Sequence, residues 1–220
     1  MRILVFYGKS IKDETYEITK KFLSRFYRAN VKEYFLPDDM AKPCLGCGNC
    51  YYNSEKNCYA FRQIHKIYEN LTDADLVVFA TPTYVDNIPG HLKSFFDHFG
   101  FLWMLRRPNG IMFKKKAAII ATTDKLDAKN TVKEIKKNLN WWGMSNVYGC
   151  SINLNKKNKI DESIDKLYNK VINSQIKINF NTKIRFKYAK RQVKRHPENE
   201  YDYNYWKEAG WFKRKKPWNL

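Results

Sequence analysis

Five apolar runs alternate along the chain with five segments in which apolar residues recur every three or four positions. A short apolar run predicts a strand buried on both faces, and the longer period predicts a helix with one apolar face. The predicted strands cover residues 2–7, 31–36, 76–80, 116–122 and 147–153. The apolar faces of the predicted helices are centred on Phe22, Ile67, Phe95, Leu139 and Leu167. This alternation predicts an α/β fold with a parallel sheet and helices on both faces.

The clearest strand–loop–helix unit runs from Asp75 to Gly100. We expect its strand to end at Pro82, because proline cannot continue the ladder of hydrogen bonds. Pro89 then opens the following helix, as proline does at a first helical position. In an open α/β sheet, the loop after the carboxyl end of a strand is where a ligand sits. The loop between the two prolines is therefore the first candidate for a binding site, with Tyr84 able to stack on a flat ring. The alternative is an ordinary loop whose tyrosine covers the core.

Two further loops are predicted at the same edge of the sheet. The loop GKSIKDET after the first strand lacks the glycine patterns of dinucleotide and P-loop sites, but it places Lys9, Ser10 and Thr15 around a helix N-terminus. Backbone N–H groups and the helix dipole favour a phosphate there. The alternative is that Thr15 only caps the helix. Thr122 and Thr123 follow the fourth strand, where they either border the same ligand or begin the next helix.

Four of the five cysteines lie within 15 residues, in the spacing C-x2-C-x2-C-x7-C. They are Cys44, Cys47, Cys50 and Cys58. The first three match the spacing of bacterial cluster ferredoxins, whereas the fourth arrives later. Three interpretations stay open: an iron–sulfur cluster, zinc or a merely structural loop, and a redox-active thiol pair. Cys150 lies inside a predicted strand, so we expect it to be a small core residue.

No other arrangement of reactive side chains stands out. His65, His91 and His98 lie on predicted helices without a partner at ligand spacing, so we expect surface or boundary positions. The chain shows no Ser/His/Asp set and no paired carboxylates. If it is an enzyme, a cofactor must supply the chemistry.

The net charge is +19 over 220 residues, and residues 181–220 contribute 12 basic and four acidic residues with several Tyr and Trp. Such a charge suits nucleic acid, an anionic nucleotide or an acidic protein partner, but no motif that reads nucleic acid accompanies it. The excess of Lys, Asn and Ile also fits an AT-rich genome, so we expect no nucleic acid partner. The basic, aromatic tail is interpreted as a strap packed on the core; a partner or dimer contact and single-stranded nucleic acid are the alternatives.

Neither a secretory signal nor a membrane helix is expected. No apolar run approaches the roughly 18 residues that a spanning helix needs, and the chain begins directly with a predicted strand. We therefore expect a cytoplasmic protein that contacts no membrane and whose cysteines are reduced.

The segments ILVFYGKS, PCLGCGNC and ADLVVFATPTYVDNIPGHLKSFFD, with the two threonines after the fourth strand, resemble the NAD(P)H-dependent FMN reductase family. The cysteine run is similar to that of the iron–sulfur flavoproteins within that family. The resemblance covers about residues 1–178, which leaves 179–220 as an extension packed on the core or on a partner subunit. It implies a flavodoxin-like fold with five parallel strands in the order 2-1-3-4-5.

The resemblance also implies a cofactor and the residues that bind it. It implies that FMN accepts hydride from NAD(P)H and passes electrons to a small acceptor, such as a quinone, a nitro or azo compound, or a free flavin. The residues expected to contact FMN are Lys9, Ser10, Thr15, Pro82, Thr83, Tyr84, Val85, Asp86, Asn87, Thr122 and Thr123. Cys44, Cys47, Cys50 and Cys58 are the ligands expected for a [4Fe–4S] cluster.

Other functions and assemblies remain possible at this stage. With the cluster, the protein would be an electron carrier that serves an acidic redox protein. A non-enzymatic flavodoxin-like binding module is the other alternative. We expect a homodimer or homotetramer.

Overall fold

The central sheet has five strands and is parallel throughout. The computed structural model describes residues 1–125, 127–214 and 218. The strands are β1 (Arg2–Tyr7), β2 (Asn30–Phe35), β3 (Leu76–Pro82), β4 (Lys116–Thr123) and β5 (Asn146–Asn153). They pair in the order β2-β1-β3-β4-β5. The predicted strand order and the flavodoxin-like fold are confirmed.

Helices connect the strands and continue after the last of them. The helices are α1 (Glu14–Leu23), α2 (Asn49–Tyr52), α3 (Phe61–Asp73), α4 (Gly90–His98), α5 (Lys129–Trp141), α6 (Ile160–Asn173), α7 (Phe180–Arg195) and α8 (Glu200–Glu208). The five helices predicted from the apolar period are α1 and α3 to α6. Short 3-10 turns cover Asp38–Met40, Glu55–Asn57, Gly100–Leu105, Gly110–Lys114 and Lys157–Lys159. No helix of the described residues has the length and apolarity needed to cross a bilayer.

Each face of the sheet carries its own apolar core. Successive side chains of a strand point to opposite faces, so Leu4 and Phe6 of β1 pack on one side and Ile3 and Val5 on the other. Helices α3, α4 and α5 cover the first face, and α1 and α6 cover the second. The sheet is thus buried on both sides, which explains why its strands appear in the sequence as continuous apolar runs.

Strand β3 ends at Pro82, where the sequence predicts its end. Pro82 pairs with Thr122 of β4, and the next amide, of Thr83, still donates to the Thr122 carbonyl. The Ala80 carbonyl accepts from Gly8, so alternate residues of β3 face β1. The missing N–H of Pro82 therefore faces β1 beyond its last residue, where no ladder hydrogen bond is lost. Proline is tolerated as the last residue of β3 for this reason, and the predicted end of the strand at Pro82 is confirmed.

The extension after Asn179 forms two helices that the apolar period does not predict. Phe186 of α7 stacks on Trp206 of α8, with ring centroids 5.3 Å apart. Both belong to a buried cluster that also contains Leu105 and Phe113 of the region before β4. The end of the extension, residues 215–217 and 219–220, lies outside the described residues. The domain boundary near residue 178 stays a prediction.

Candidate functional site

The loop after β1 packs tightly against the end of β3 because its first residue has no side chain. The Gly8 amide donates to the Ala80 carbonyl at 2.8 Å. A Cβ atom added to Gly8 would lie 2.3 Å from Thr81 Oγ1, far inside contact distance. Only glycine allows this approach, which brings the loop beside the carboxyl ends of β3 and β4.

A lysine and a serine hydroxyl lie where the loop enters α1. Asp13 caps this helix, because its carboxylate accepts from the Thr15 amide at 3.0 Å. The same carboxylate accepts from Lys9 Nζ at 2.7 Å, and this hydrogen bond raises the pKa of Lys9. The hydroxyl oxygen of Ser10 is buried and has no hydrogen-bond partner within the described part of the chain. A buried polar atom without a partner is destabilising, so a ligand that accepts its hydrogen bond would remove that penalty.

Thr15 and Thr122 lie beneath the loops and bond to each other. Their hydroxyl oxygens are 2.7 Å apart, and both residues are buried. This hydrogen bond joins α1 to β4, so both hydroxyls already have a partner. Thr15 is not the helix cap, which was the simpler interpretation of the sequence. Thr123 Oγ1 accepts from the Lys125 amide at 3.1 Å and closes the third loop.

The loop after β3 contains a two-residue turn. Tyr84 and Asn87 exchange both backbone hydrogen bonds, at 3.0 and 2.9 Å. Between them, Val85 and Asp86 have φ angles of 49° and 57°. Positive φ at both central residues defines a type I′ turn, in which Asn and Gly are preferred and valine is strained. The turn leaves the Tyr84 ring 45% exposed and Val85 fully exposed.

The turn is held against α5 by polar side chains. Thr83 Oγ1 lies 3.0 Å from Thr131 Oγ1, and the Asp86 carboxylate accepts from Asn130 Nδ2. The three predicted loops thus meet at one edge of the sheet. Lys9, Ser10 and Tyr84 present their polar or aromatic groups there, whereas Thr15 and Thr122 support the loops from below.

The cysteine segment, residues 44–58, packs on the end of α4. The Cys44 amide donates to Ser94 Oγ at 2.8 Å. Cys58 Sγ lies 3.9 Å from His98 Nδ1, and Cys50 Sγ lies 3.7 Å from the position of a Cβ on Gly100. We call the edge of the sheet where the three loops meet the loop edge. Because α4 starts just after the Val85–Asp86 turn, this one helix joins the loop edge to the cysteine segment.

His98 is buried, so the predicted surface or boundary position was wrong. The residue is 2% exposed, and burial lowers the pKa of its imidazole. Nε2 lies 2.8 Å from the Lys42 carbonyl, which can only accept, so Nε2 carries the proton. Nδ1 is then the acceptor that faces the Cys58 thiol. Burial raises the pKa of this thiol. His98 therefore ties the last residue of the cysteine segment, and the chain two residues before the segment, to α4.

Two of the four cysteines line a cleft, and the four thiols are not gathered around one point. A cavity of about 510 Å³ is lined by Cys44 and Cys50 together with Asp97 and Gly100. Gly46 and Gly48, at φ angles of 65° and 75°, turn the backbone around it. Among the residues that the structure describes, no three His, Cys, Asp or Glu side chains lie close enough together to hold a metal ion. In this arrangement the donor set does not fit a cluster.

Cys150 is distant from this segment in sequence and environment. It lies in β5 and packs against the core formed with α1 and α6. Burial raises the pKa of its thiol to about 12, as expected of a core cysteine.

The sheet order and the three loops at its carboxyl edge define a flavodoxin-like protein. A model of the family described as NADPH-dependent FMN reductase matches residues 1–159, and the chain belongs to that family. The resemblance seen in the sequence is confirmed, and the predicted cofactor FMN agrees with the family's description.

Two curated relatives match the chain over shorter stretches. An iron-sulfur flavoprotein of Methanosarcina thermophila is 31% identical over 87 residues, which cover 40% of this chain and 43% of that protein. An iron-sulfur flavoprotein of Archaeoglobus fulgidus is 36% identical over 62 residues, 28% of this chain and 29% of that protein. The chain therefore spans less than half the length of these relatives.

Solved structures share the fold at low identity. An FMN-dependent NADH-azoreductase from Bacillus anthracis, in complex with FMN, superposes with a TM-score of 0.60 at 13% identity, over 78% of this chain and 97% of that one. An NAD(P)H:quinone oxidoreductase from Methanothermobacter marburgensis gives 0.59 at 14% identity, over 76% and 94%. At such identities the likeness shows the fold alone.

Three residues that shape these sites escaped prediction from sequence. Asp13 carries a readable signal, because an aspartate directly before a predicted helix is a preferred cap. His98 follows Phe95 by three positions, which places it on the apolar face of α4. The close contact between Gly8 and Thr81 carries no local signal, since the two residues are 73 positions apart.

Proposed function

We propose that this protein is an FMN-dependent oxidoreductase that takes electrons from NAD(P)H and passes them to a small acceptor, such as a quinone, a nitro or azo compound, or a free flavin. The observation that carries the proposal is the buried hydroxyl of Ser10, which lacks a partner in the loop expected to hold the phosphate. A phosphate oxygen at this position would accept its hydrogen bond.

Each residue at the loop edge contacts a different part of FMN or supports a residue that does. Ser10 donates to the phosphate, and Lys9 supplies a positive charge beside it. The backbone groups and the side chains from Pro82 to Asn87 lie under the ring, with Tyr84 the aromatic contact. Thr123 borders the edge of the ring. Thr15 and Thr122 act indirectly, because their mutual hydrogen bond fixes the distance between α1 and β4.

The chemistry comes from the cofactor. FMN, when bound, accepts a hydride from a nicotinamide and releases electrons to an acceptor. Two of the acids at the loop edge, Asp13 and Asp86, already accept hydrogen bonds from Lys9 and Asn130. The chain's contribution is therefore to bind, orient and partly cover the ring.

The test is a Ser10→Ala variant, measured for FMN affinity and for stability without FMN. Losing a hydrogen bond to a charged group should weaken FMN binding roughly 10- to 150-fold, since such bonds contribute about 1.5–3 kcal/mol. The FMN-free protein should be no less stable, because the variant removes a buried group that has no partner. Ser24→Ala is the matched control, because the hydroxyl of this serine donates to the Lys21 carbonyl at the far end of α1, away from the loop edge. Equal FMN affinity in wild type and Ser10→Ala would contradict the assignment.

Turnover distinguishes an enzyme from a binding module. A yellow protein that is bleached anaerobically by NADPH or NADH, and recovers its colour when a quinone is added, supports the oxidoreductase. A colourless protein that takes up no FMN would leave the non-enzymatic alternative. Comparing the two nicotinamides, and a series of acceptors, assigns the donor and the acceptor.

A second candidate is an electron carrier that combines FMN with a [4Fe–4S] cluster. Support comes from the packing of Cys44 and Cys58 on α4 and from the two iron-sulfur flavoproteins among the relatives. Because the thiols are not gathered in the described arrangement, binding a cluster would require residues 44–49, which carry Cys44 and Cys47, to move. Iron and sulfide analysis of anaerobically purified protein decides between the candidates, with Cys50→Ser as the variant that should lose both.

The assembly and the surroundings of the protein belong to the same proposal. The high positive charge favours an acidic redox protein as partner of the electron carrier. We expect a homodimer or homotetramer, located in the cytoplasm and bound to neither membrane nor nucleic acid. Sedimentation of the FMN-loaded protein tests the oligomeric state.

A further inference from the structure

The spacer between the third and fourth cysteines is the unusual part of the cysteine run. Seven residues, 51–57, separate Cys50 from Cys58, whereas two residues separate the earlier cysteines. The spacer contains the last two residues of α2, Tyr51 and Tyr52, and the 3-10 turn Glu55–Asn57. A spacer of this length needs contacts outside itself to hold one conformation. Those contacts come from Arg106 and Arg107, which lie before β4, and from the C-terminal extension, which lies beyond the region matched by the family and both orients the arginines and contacts the spacer itself.

Asp202 of α8 is the centre of these contacts. Its side chain is buried, and both carboxylate oxygens are used. Oδ1 accepts from Arg107 Nε at 3.0 Å, and Oδ2 accepts from Arg106 Nη2 at 2.6 Å. Asn199 Nδ2 adds a third hydrogen bond at 3.2 Å. One carboxylate thus orients two neighbouring arginines.

The two arginines hold the spacer. Arg107, 3% exposed, donates to Glu55 Oε2 at 2.6 Å and to the Asn53 carbonyl at 2.8 Å. The Arg106 guanidinium lies 3.5 Å from the centre of the Tyr51 ring. The two arginines that Asp202 orients therefore contact the Asn53 carbonyl, the Glu55 carboxylate and the Tyr51 ring of the spacer.

A neighbouring residue of α8 adds a direct contact. The Tyr201 hydroxyl donates to Ser54 Oγ at 2.6 Å, and Ser54 Oγ itself accepts from the Lys56 amide at 3.1 Å. Tyr201 therefore stabilises the cap of the 3-10 turn that leads to Cys58. The Arg107 guanidinium lies 4.6 Å from the centre of the Tyr201 ring, which connects this contact to the ionic one.

The charges explain why the arrangement is rigid. Arg106, Arg107, Glu55 and Asp202 form a set with two positive and two negative charges, largely removed from water. Removing one partner from such a set leaves a buried charge without compensation, which is strongly destabilising. The spacer cannot leave its position without separating Glu55 from Arg107.

We propose that the C-terminal extension is a clamp for the cysteine segment and that Asp202 is its positioning residue. By orienting Arg106 and Arg107, Asp202 fixes the spacer and so fixes the positions of Cys50 and Cys58 against α4. The clamp acts on the protein segment itself, whichever group the thiols bind. It gives the extension a function beyond covering the apolar surface of Leu105 and Phe113.

The test is hydrogen exchange and thiol alkylation of the full-length protein carrying Asp202→Asn. Amides of residues 51–57 should exchange about tenfold faster, because the spacer opens locally. Cys58 should be alkylated faster by a similar factor. Cys150 is the internal reference: its rate should stay unchanged if only the spacer is released and should rise if the whole domain is destabilised. Asp165→Asn is the matched control, since Asp165 also pairs with an arginine, Arg25, but on the exposed surface of α6.

A milder variant covers the case in which Asp202→Asn does not fold. Tyr201→Phe removes only the hydroxyl that contacts Ser54, and should raise exchange about threefold in residues 54–57 alone. Unchanged exchange of the spacer in the folded variants, or faster exchange confined to α7 and α8, would overturn the clamp. FMN affinity should be unaffected in all of them. A wild type that binds neither FMN nor iron would refute the proposed function and leave this test intact.

Discussion

Replacing Gly8 by alanine is the sharpest perturbation of the loop edge. Gly8 does not have a left-handed φ angle, so alanine is allowed by the backbone and the effect is steric alone. The added Cβ would lie 2.3 Å from Thr81 Oγ1 and 2.8 Å from Thr81 Cβ. Thr81 cannot yield easily, because it is fully buried within β3 and its hydroxyl donates to the Pro82 carbonyl at 3.0 Å.

The size of the effect follows from the distance that the loop must move. Unstrained contacts between carbon atoms begin near 3.5 Å, so the loop has to shift by roughly 1 Å. Overpacking of this kind destabilises a protein by about 1–3 kcal/mol. A shift of this size also takes Ser10 out of the narrow range of hydrogen-bond distances, about 2.5–3.0 Å for a hydroxyl donor. FMN affinity should therefore fall about tenfold or more, equivalent to about 1.4 kcal/mol.

The assay combines urea unfolding with titration of FMN fluorescence. Gly90→Ala is the matched control, because a Cβ at Gly90 meets no atom within 4 Å. This variant should be slightly more stable, by about 0.4–1 kcal/mol, with unchanged FMN affinity. Adding Thr81→Ala to Gly8→Ala removes the closest atom but leaves the 2.8 Å contact, so it should restore only part of both losses. Wild-type stability and FMN affinity in Gly8→Ala would refute the reasoning.

Three further predictions concern strain and ionisation. Val85→Asn should stabilise the FMN-free protein by about 1 kcal/mol, because asparagine tolerates the positive φ of the turn; an unchanged midpoint of thermal unfolding would contradict this. Alkylation of the native protein, followed by mass spectrometry, should label exposed Cys47 first and spare Cys150, whose pKa burial raises to about 12; equal rates would refute the assignment. Burial lowers the pKa of Lys115 from 10.5 to about 8, so between these values the unfolded chain binds more protons and stability rises with pH. Urea unfolding should therefore show wild type gaining stability relative to Lys115→Met between about pH 7 and about pH 10, and a constant difference would contradict the shift.

Sequence predicts the sheet well because the physics of its strands is local. A strand buried on both faces must be apolar at nearly every position, and β3 is the clearest example. Prediction failed where a residue's role depends on direction or on a distant partner. His98 was expected at a surface or boundary position, but its imidazole is buried against Lys42 and Cys58, and the sequence does not show these distant contacts.

The candidate site, too, was predictable where its features are local and unpredictable where they depend on distant contacts. The three loops were predictable, since the carboxyl ends of parallel strands meet at one edge. The separate roles of Ser10 and Thr15 were not predictable, because both are hydroxyl residues at one helix terminus. Only the structure shows that Thr15 already bonds to Thr122 while Ser10 has no partner among the described residues. The two helices of the extension were not predicted for another reason. Their apolar residues pack against Leu105 and Phe113, not against the sheet.

The position of α4 gives the two candidate functions a common structural basis. Its apolar face, including Phe95 and Phe96, is almost completely buried, so the helix cannot shift without disrupting the core. Nine residues of helix span about 13 Å, from the turn beside Tyr84 to His98 under the cysteine segment. The separation of the two sites is thus set by a rigid element, while the clamp fixes the cysteines at its far end. Conformational freedom that would change this distance must therefore lie in residues 44–49, which is where binding of a cluster would require movement.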